Sequence, residues 1–108
     1  MKNVCLAFGT LDAAKIAAFF HDSCNLRWSE TMPWVTGREA ILEKLKGVVT
    51  GAEKVELEIL DLYPKGPIVL NERMDRTTKQ GRSRPFHVAG IILVKDGKIA
   101  EWNDYAIR

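Results

Sequence analysis

Three ionisable residues stand at spacings suited to acid–base chemistry. Arg73 and Asp75 are two apart in the run 69–75, and Asp104 follows Trp102 by two in the run 99–105. On a strand, residues i and i+2 share a face, so Arg73 points with Asp75 and Trp102 with Asp104. If the two strands line one cavity, two carboxylates meet across one guanidinium. Once desolvated, that trio carries surplus negative charge, and the simplest remedy is one proton kept between the carboxyls. One carboxyl is then an acid and the other a base at the same pH, as opening a strained ether with water requires. The bland alternative is a surface ion pair, a common and weak feature of strands.

Such chemistry needs a cavity, and the chain is long enough for one. Its 108 residues suffice for a single domain, residues 1–108, with one core. A hydrophobic share of 46% and a charged share of 28% are those of an ordinary globular domain. The net charge of +2 argues against nucleic acid or an anionic membrane as partner. Arg82 and Arg84 alternate at a turn and read as a solvated face. Residues 4–8 are too short for a signal-peptide core, and no stretch could span a bilayer, so the chain reads as cytoplasmic. Cys5 and Cys24 lack metal or redox spacing and read as buried, reduced thiols.

The N-terminal half reads as helical. A short helix starts near Lys2 and ends at Gly9. Residues 11–20 carry Ile16, Phe19 and Phe20 at helical spacing, with Thr10 or Asp12 as cap. Thr36-Gly37-Arg38-Glu39 has the form of a capping box, followed by an apolar face of Ile41, Leu42, Leu45, Val48 and Val49. A short strand over 26–32 lies between the helical segments. The C-terminal half reads as an antiparallel meander. Val55, Leu57 and Ile59 alternate with Glu56 and Glu58; residues 64–67 form a turn; strands cover 68–77, 86–95 and 98–107, the last two joined by an Asp96-Gly97 hairpin. Gly90 in mid-strand suggests a bulge or bend. The predicted class is α+β: a strongly curved mixed, mostly antiparallel sheet with the N-terminal helices packed on its concave face. The pocket between sheet and helices is where inward charges would be desolvated.

The runs Asn71-Glu72-Arg73-Met74-Asp75 and Asp96-Gly97-Lys98-Ile99-Ala100-Glu101-Trp102-Asn103-Asp104-Tyr105, with Met32-Pro33 before Thr36-Gly37-Arg38-Glu39, resemble the limonene-1,2-epoxide hydrolase family. That family belongs to the cone-shaped superfamily of nuclear transport factor 2, ketosteroid isomerase and SnoaL-type polyketide cyclases. The Gly-Arg-Glu and Asp-Gly-Lys-Ile-Ala elements are superfamily-wide and speak for the cone fold. The Arg-x-Asp and Trp-x-Asp-Tyr pair points to the hydrolase branch.

The resemblance implies an enzyme in which Asp75 donates a proton to the epoxide oxygen, Asp104 takes one from the attacking water and Arg73 holds both. No metal, cofactor or covalent intermediate is implied. The family's water-holding tyrosine and asparagine fall here on Ser29 and Thr31, whose hydroxyls would share a strand face. The family's arginine between Trp and Asp is Asn103, which should face away from Asp104. Trp102, Met32 and Trp34 are expected around a pocket for a small apolar epoxide, although Trp102 could be core and Trp34, like Trp28, a dimer contact. The resemblance also implies a homodimer. Two other readings stand beside it: a SnoaL-like cyclase or isomerase using Asp75 or His87 as proton shuttle, and a non-catalytic small-molecule-binding protein. His87 and His21 also have plain structural readings, His21 at a helix end.

Overall fold

Turn chemistry sets the meander. Asp96 (φ 53°) and Gly97 (φ 74°) both lie in the left-handed region, as a two-residue primed hairpin demands, and Gln80 (φ 52°) and Gly81 (φ 75°) repeat the device. The computed structural model describes residues 1–108. Helices α1 (Lys2–Phe8) and α2 (Ala13–Ala17) precede strands β1 (Phe20–Arg27) and β2 (Val35–Thr36). Helix α3 (Arg38–Val49) is followed by β3 (Lys54–Lys65), β4 (Ile68–Lys79), β5 (Arg82–Lys95) and β6 (Lys98–Ala106). The six strands form one sheet in the order β2-β1-β6-β5-β4-β3, antiparallel except for β1 beside β6. The α+β class and the curved mixed sheet agree with the sequence reading.

Several local expectations are corrected. The second helix spans only Ala13–Ala17, because Phe20 opens β1, fully buried with its ring 5.9 Å from that of Trp102. Asp12 does cap α2, accepting from the N–H groups of Ala14 and Lys15. The Thr36–Glu39 capping box does not form. Thr36 belongs to β2 and donates its hydroxyl to Asn25, leaving Gly37 (φ 92°) as the helix N-cap with no side-chain hydrogen bond. The strand expected over 26–32 starts earlier and stops at Arg27, so Ser29 and Thr31 lie in a bend. Pro64 falls inside β3, which tolerates it as the edge strand of the sheet.

Gly90 is not at a bulge. The register shifts that bend the sheet lie between Ile59 and Asp61, between Leu93 and Val94, and between Phe20 and Asn25. The core fills the space between the three helices and the inner sheet face, with Phe8, Ile16, Phe20, Leu45, Ile92 and Trp102 at its centre. Cys5 and Cys24 are buried and free within it. No helix is long and apolar enough to cross a membrane.

Candidate active site

Strand alternation on β4 turns Asn71, Arg73 and Asp75 to the inner face. The same rule on β6 turns Trp102 and Asp104 inward. Gly90 on β5 stands between them, paired with Asn71 on one side and Asp104 on the other. The sheet thus brings together Arg73, Asp75 and Asp104, from segments about thirty residues apart.

Arg73 is fully buried and spends every hydrogen it has. Nε donates to Asp75 Oδ1 (3.1 Å) and Nη2 to Asp75 Oδ2 (2.9 Å). Nη2 also donates to Asp104 Oδ2 (2.7 Å), and Nη1 to Asp104 Oδ1 (3.3 Å). The remaining Nη1 hydrogen goes to Asn71 Oδ1 at 2.6 Å, while Asn71 Nδ2 donates to the Gly90 carbonyl. A guanidinium has five N–H donors, so none is left for a substrate. Arg73 can hold the carboxylates and balance their charge; it cannot donate to a ligand without breaking one of these bonds.

The two carboxylates differ. Asp104 is 1% exposed, and its Oδ2 also accepts from the indole N–H of Trp102 at 2.9 Å. Oδ1, with one long hydrogen bond, is its oxygen with capacity to spare. The Asp75 side chain is 24% exposed and each oxygen accepts one bond, so both have room for a ligand. Burial pushes the Asp104 carboxyl above its ordinary pKa, against the opposing charge and hydrogen bonds of Arg73. Burial opposes the Arg73 charge too, but the two aspartates outweigh it and hold its pKa above the usual value. We take from this pair a firmly charged guanidinium and a buried carboxyl with raised proton affinity. Trp102 completes the support: the Arg73 guanidinium carbon lies over its ring, 4.9 Å from the centroid. It is therefore core and carboxylate partner rather than open pocket wall.

Other candidates are placed elsewhere. Ser29 and Thr31 hydrogen-bond each other at 2.9 Å, and neither bonds a member of the trio. Their bend is tied down by Glu30, which accepts from the Ala106 N–H and from Arg108. Those contacts draw the Glu30 pKa down to about 2 and fix the bend at the end of β6 that carries Asp104. Met32 packs against the core, and Trp34 lies under the Arg27 guanidinium, 4.4 Å away, on the outer face. Asn103 faces outward as expected and accepts from Arg27. His87 pairs with Glu72 on the opposite side of the sheet from Arg73. No cluster of His, Cys, Asp or Glu is arranged to hold a metal.

Sequence reasoning missed Asn71 and Gly90. Asn71 follows the same i, i+2 rule as Arg73 and Asp75, so its inward direction was readable. The mid-strand glycine marked close approach as well as a bulge.

The comparisons with known proteins agree with this architecture. A structure described as an M. tuberculosis LEH-like epoxide hydrolase superposes with a TM-score of 0.86 at 23% identity, covering 98% of this chain and 78% of that one. A hypothetical protein with a ketosteroid isomerase-like fold from Catenulispora acidiphila gives 0.81 at 18% identity, over 94% and 79% of the two chains. A protein from a soil-derived mobile gene cassette gives 0.79 at 14%, over 97% and 84%. Similarity at these identities shows a shared fold. The model of the SnoaL-like domain matches residues 2–102, nearly the whole chain, and the protein belongs to that family.

Proposed function

We propose that this protein is an epoxide hydrolase of the limonene-1,2-epoxide hydrolase type. The observation that carries this reading is the saturated Arg73 bridge between a buried Asp104 and a partly open Asp75. Two carboxylates and one guanidinium leave a charge of minus one; one shared proton makes the trio neutral. With that proton on Asp75, its open oxygens can donate to an epoxide oxygen. The raised proton affinity of Asp104 favours the proton there at rest, so the reactive form is the one with the proton moved to Asp75, in which Asp104 Oδ1 is a strong base. Water attacks the ring carbon as the C–O bond breaks; the ring oxygen takes the Asp75 proton, and Asp104 takes one from the water. The product is a vicinal diol. Moving the proton from Asp104 back to Asp75 restores the reactive form. Ring strain supplies much of the driving force, so placing one water opposite the breaking bond is the main task.

Ser29 and Thr31 are assigned a second contact to that water. The support is the anchoring of their bend to the end of β6 just past Asp104. A shuttle through His87 finds no support, since that residue lies on the other sheet face. We also propose that two copies pair through the outer face, where Tyr63, Leu70 and Tyr105 are exposed. Light scattering after gel filtration tests this; a monomer at micromolar concentration would end that part of the proposal.

The deciding experiment is diol formation from a panel of epoxides by the parent and by Asp75→Asn. Diol from the parent and none from a folded Asp75→Asn variant supports the reading. Equal activity in both would refute it.

A further inference from the structure

Beside the trio, a groove of about 520 Å³ runs between α1 and β3. Lys2, Cys5, Leu6 and Gly9 form its helical wall at positions i, i+3, i+4 and i+7, and residues 54–59 of β3 form its floor. The floor is apolar on the inward side, with Val55, Leu57 and Ile59. The volume is that of a small-molecule site.

The groove adjoins the candidate catalytic residues. Leu57 is the direct cross-strand neighbour of Asp75, and Ile59 that of Arg73. Such pairs hold their Cβ atoms about 5 Å apart. Cys5 lines the groove and is close enough to Arg73, Asp75 and Asp104 to interact with their charges. Asp75 is not among the lining residues but stands beside the floor on the same sheet face, its side chain 24% exposed, so a ligand whose end leaves the groove at Leu57 comes up against it.

The groove follows the strand and is open to solvent. Five residue steps of strand, Lys54 to Ile59, extend it by about 16 Å. β3 is the last strand of the sheet, so the groove is open along that side. Leu6 on the rim is 73% exposed, a large apolar side chain facing solvent. The charges along the floor are paired, Lys54 with Glu56 and Glu58 with Arg76, and Lys2 on the helical wall is a solvent-exposed cation outside the apolar stretch. An uncharged, narrow, apolar ligand is complementary to such a surface. A compact ring would cover only the part near Leu57.

We infer that the substrate class is a straight-chain aliphatic epoxide, with its oxirane at Asp75 and its alkyl chain along Val55, Leu57 and Leu6. This rests on the hydrolase reading for the oxirane and on the groove alone for the chain. Each methylene that leaves water in a groove of this kind raises kcat/KM by roughly twofold to fourfold.

The test is kcat/KM for terminal epoxides from epoxybutane to epoxydodecane, beside limonene oxide, together with calorimetric binding of the straight-chain amides from butanamide to dodecanamide. The inference expects a steep rise with chain length in both series, and a slope at least halved in Leu6→Asp, a substitution at an exposed position. Diol formation that is flat in chain length, or fastest with limonene oxide, would overturn the inference and leave the hydrolase reading intact. No diol from any epoxide, with amide affinity still rising with length, would keep the groove assignment for the chain and sink the hydrolase reading. No diol from any epoxide, with amide affinity flat in chain length, would remove both.

Discussion

The α-carbon of Gly90 lies directly beneath the Asp104 carboxylate: a Cβ built there would stand 2.7 Å from Asp104 Oδ1, 2.9 Å from Arg73 Nη1 and 3.0 Å from Asn71 Oδ1. These atoms are the ends of side chains, but each is pinned by hydrogen bonds and cannot swing aside cheaply. Gly90→Ala should therefore displace the whole cluster. We expect a loss of about 1–3 kcal/mol in urea unfolding, the usual range for overpacking. Diol formation should fall with it. A variant as stable and as active as the parent would show that the carboxylate does not sit over Gly90.

Gly90 also illustrates what the sequence could and could not tell. Strand alternation alone turned Arg73, Asp75 and Asp104 inward, because a period of two needs no knowledge of neighbours. The hairpin at Asp96-Gly97 was equally local. What failed depended on tertiary packing. Phe20 left its helical pattern to pack on Trp102, and Thr36 left its capping role for Asn25. Asn71 reads as an unremarkable strand residue until β5 is placed beside it. The bend holding Ser29 and Thr31 depends on Glu30 reaching the far end of the chain, a contact no local pattern encodes.

Removing the bridge separates a working network from an idle one. Arg73→Met would leave two carboxylates facing each other without a cation, and should cost about 3–5 kcal/mol. Adding Asp75→Leu and Asp104→Leu to Arg73→Met should recover much of that loss, since an apolar replacement of a buried ionic cluster is often neutral or stabilising. Neither variant should form diol. A stability series by denaturant unfolding at neutral pH checks the first two points, and diol analysis checks the third.

Asp104 and Glu30 should pull the pH dependence of stability in opposite directions. The folded pKa of Asp104 is raised, so the folded state binds more protons than the unfolded one. Its contribution is present below the ordinary value of 3.8 and is lost as pH rises through the raised value. Glu30 is lowered to about 2 from 4.5, so its contribution is present above 4.5 and is lost as pH falls toward 2. The parent-minus-variant difference for Asp104→Asn should therefore decline with rising pH above about 4, while that for Glu30→Gln should grow from pH 2 to about 4.5 and then level. Unfolding curves between pH 2 and 8 check both; parallel profiles for the two variants would contradict the burial assigned to Asp104.

Asn71 offers the most discriminating variant, because its two ends face opposite demands. Its Oδ1 must accept from Arg73 Nη1, and its Nδ2 must donate to the Gly90 carbonyl. Asn71→Leu satisfies neither and leaves a buried guanidinium hydrogen unpaired, a loss of about 1–3 kcal/mol at every pH. Asn71→Asp has the same shape but answers the two demands only when protonated, with the carbonyl-like oxygen toward Arg73 and the hydroxyl toward Gly90. Once ionised, it sets a third carboxylate on one guanidinium and an oxygen against a carbonyl. Its folded pKa should accordingly be raised, so the variant should be near-parental in acid and lose stability as pH rises through that value. Tm measured from pH 4 to pH 8 reads the difference. A pH-independent deficit in Asn71→Asp would mean that Asn71 merely fills space, and that the Arg73 guanidinium is held by the two aspartates alone.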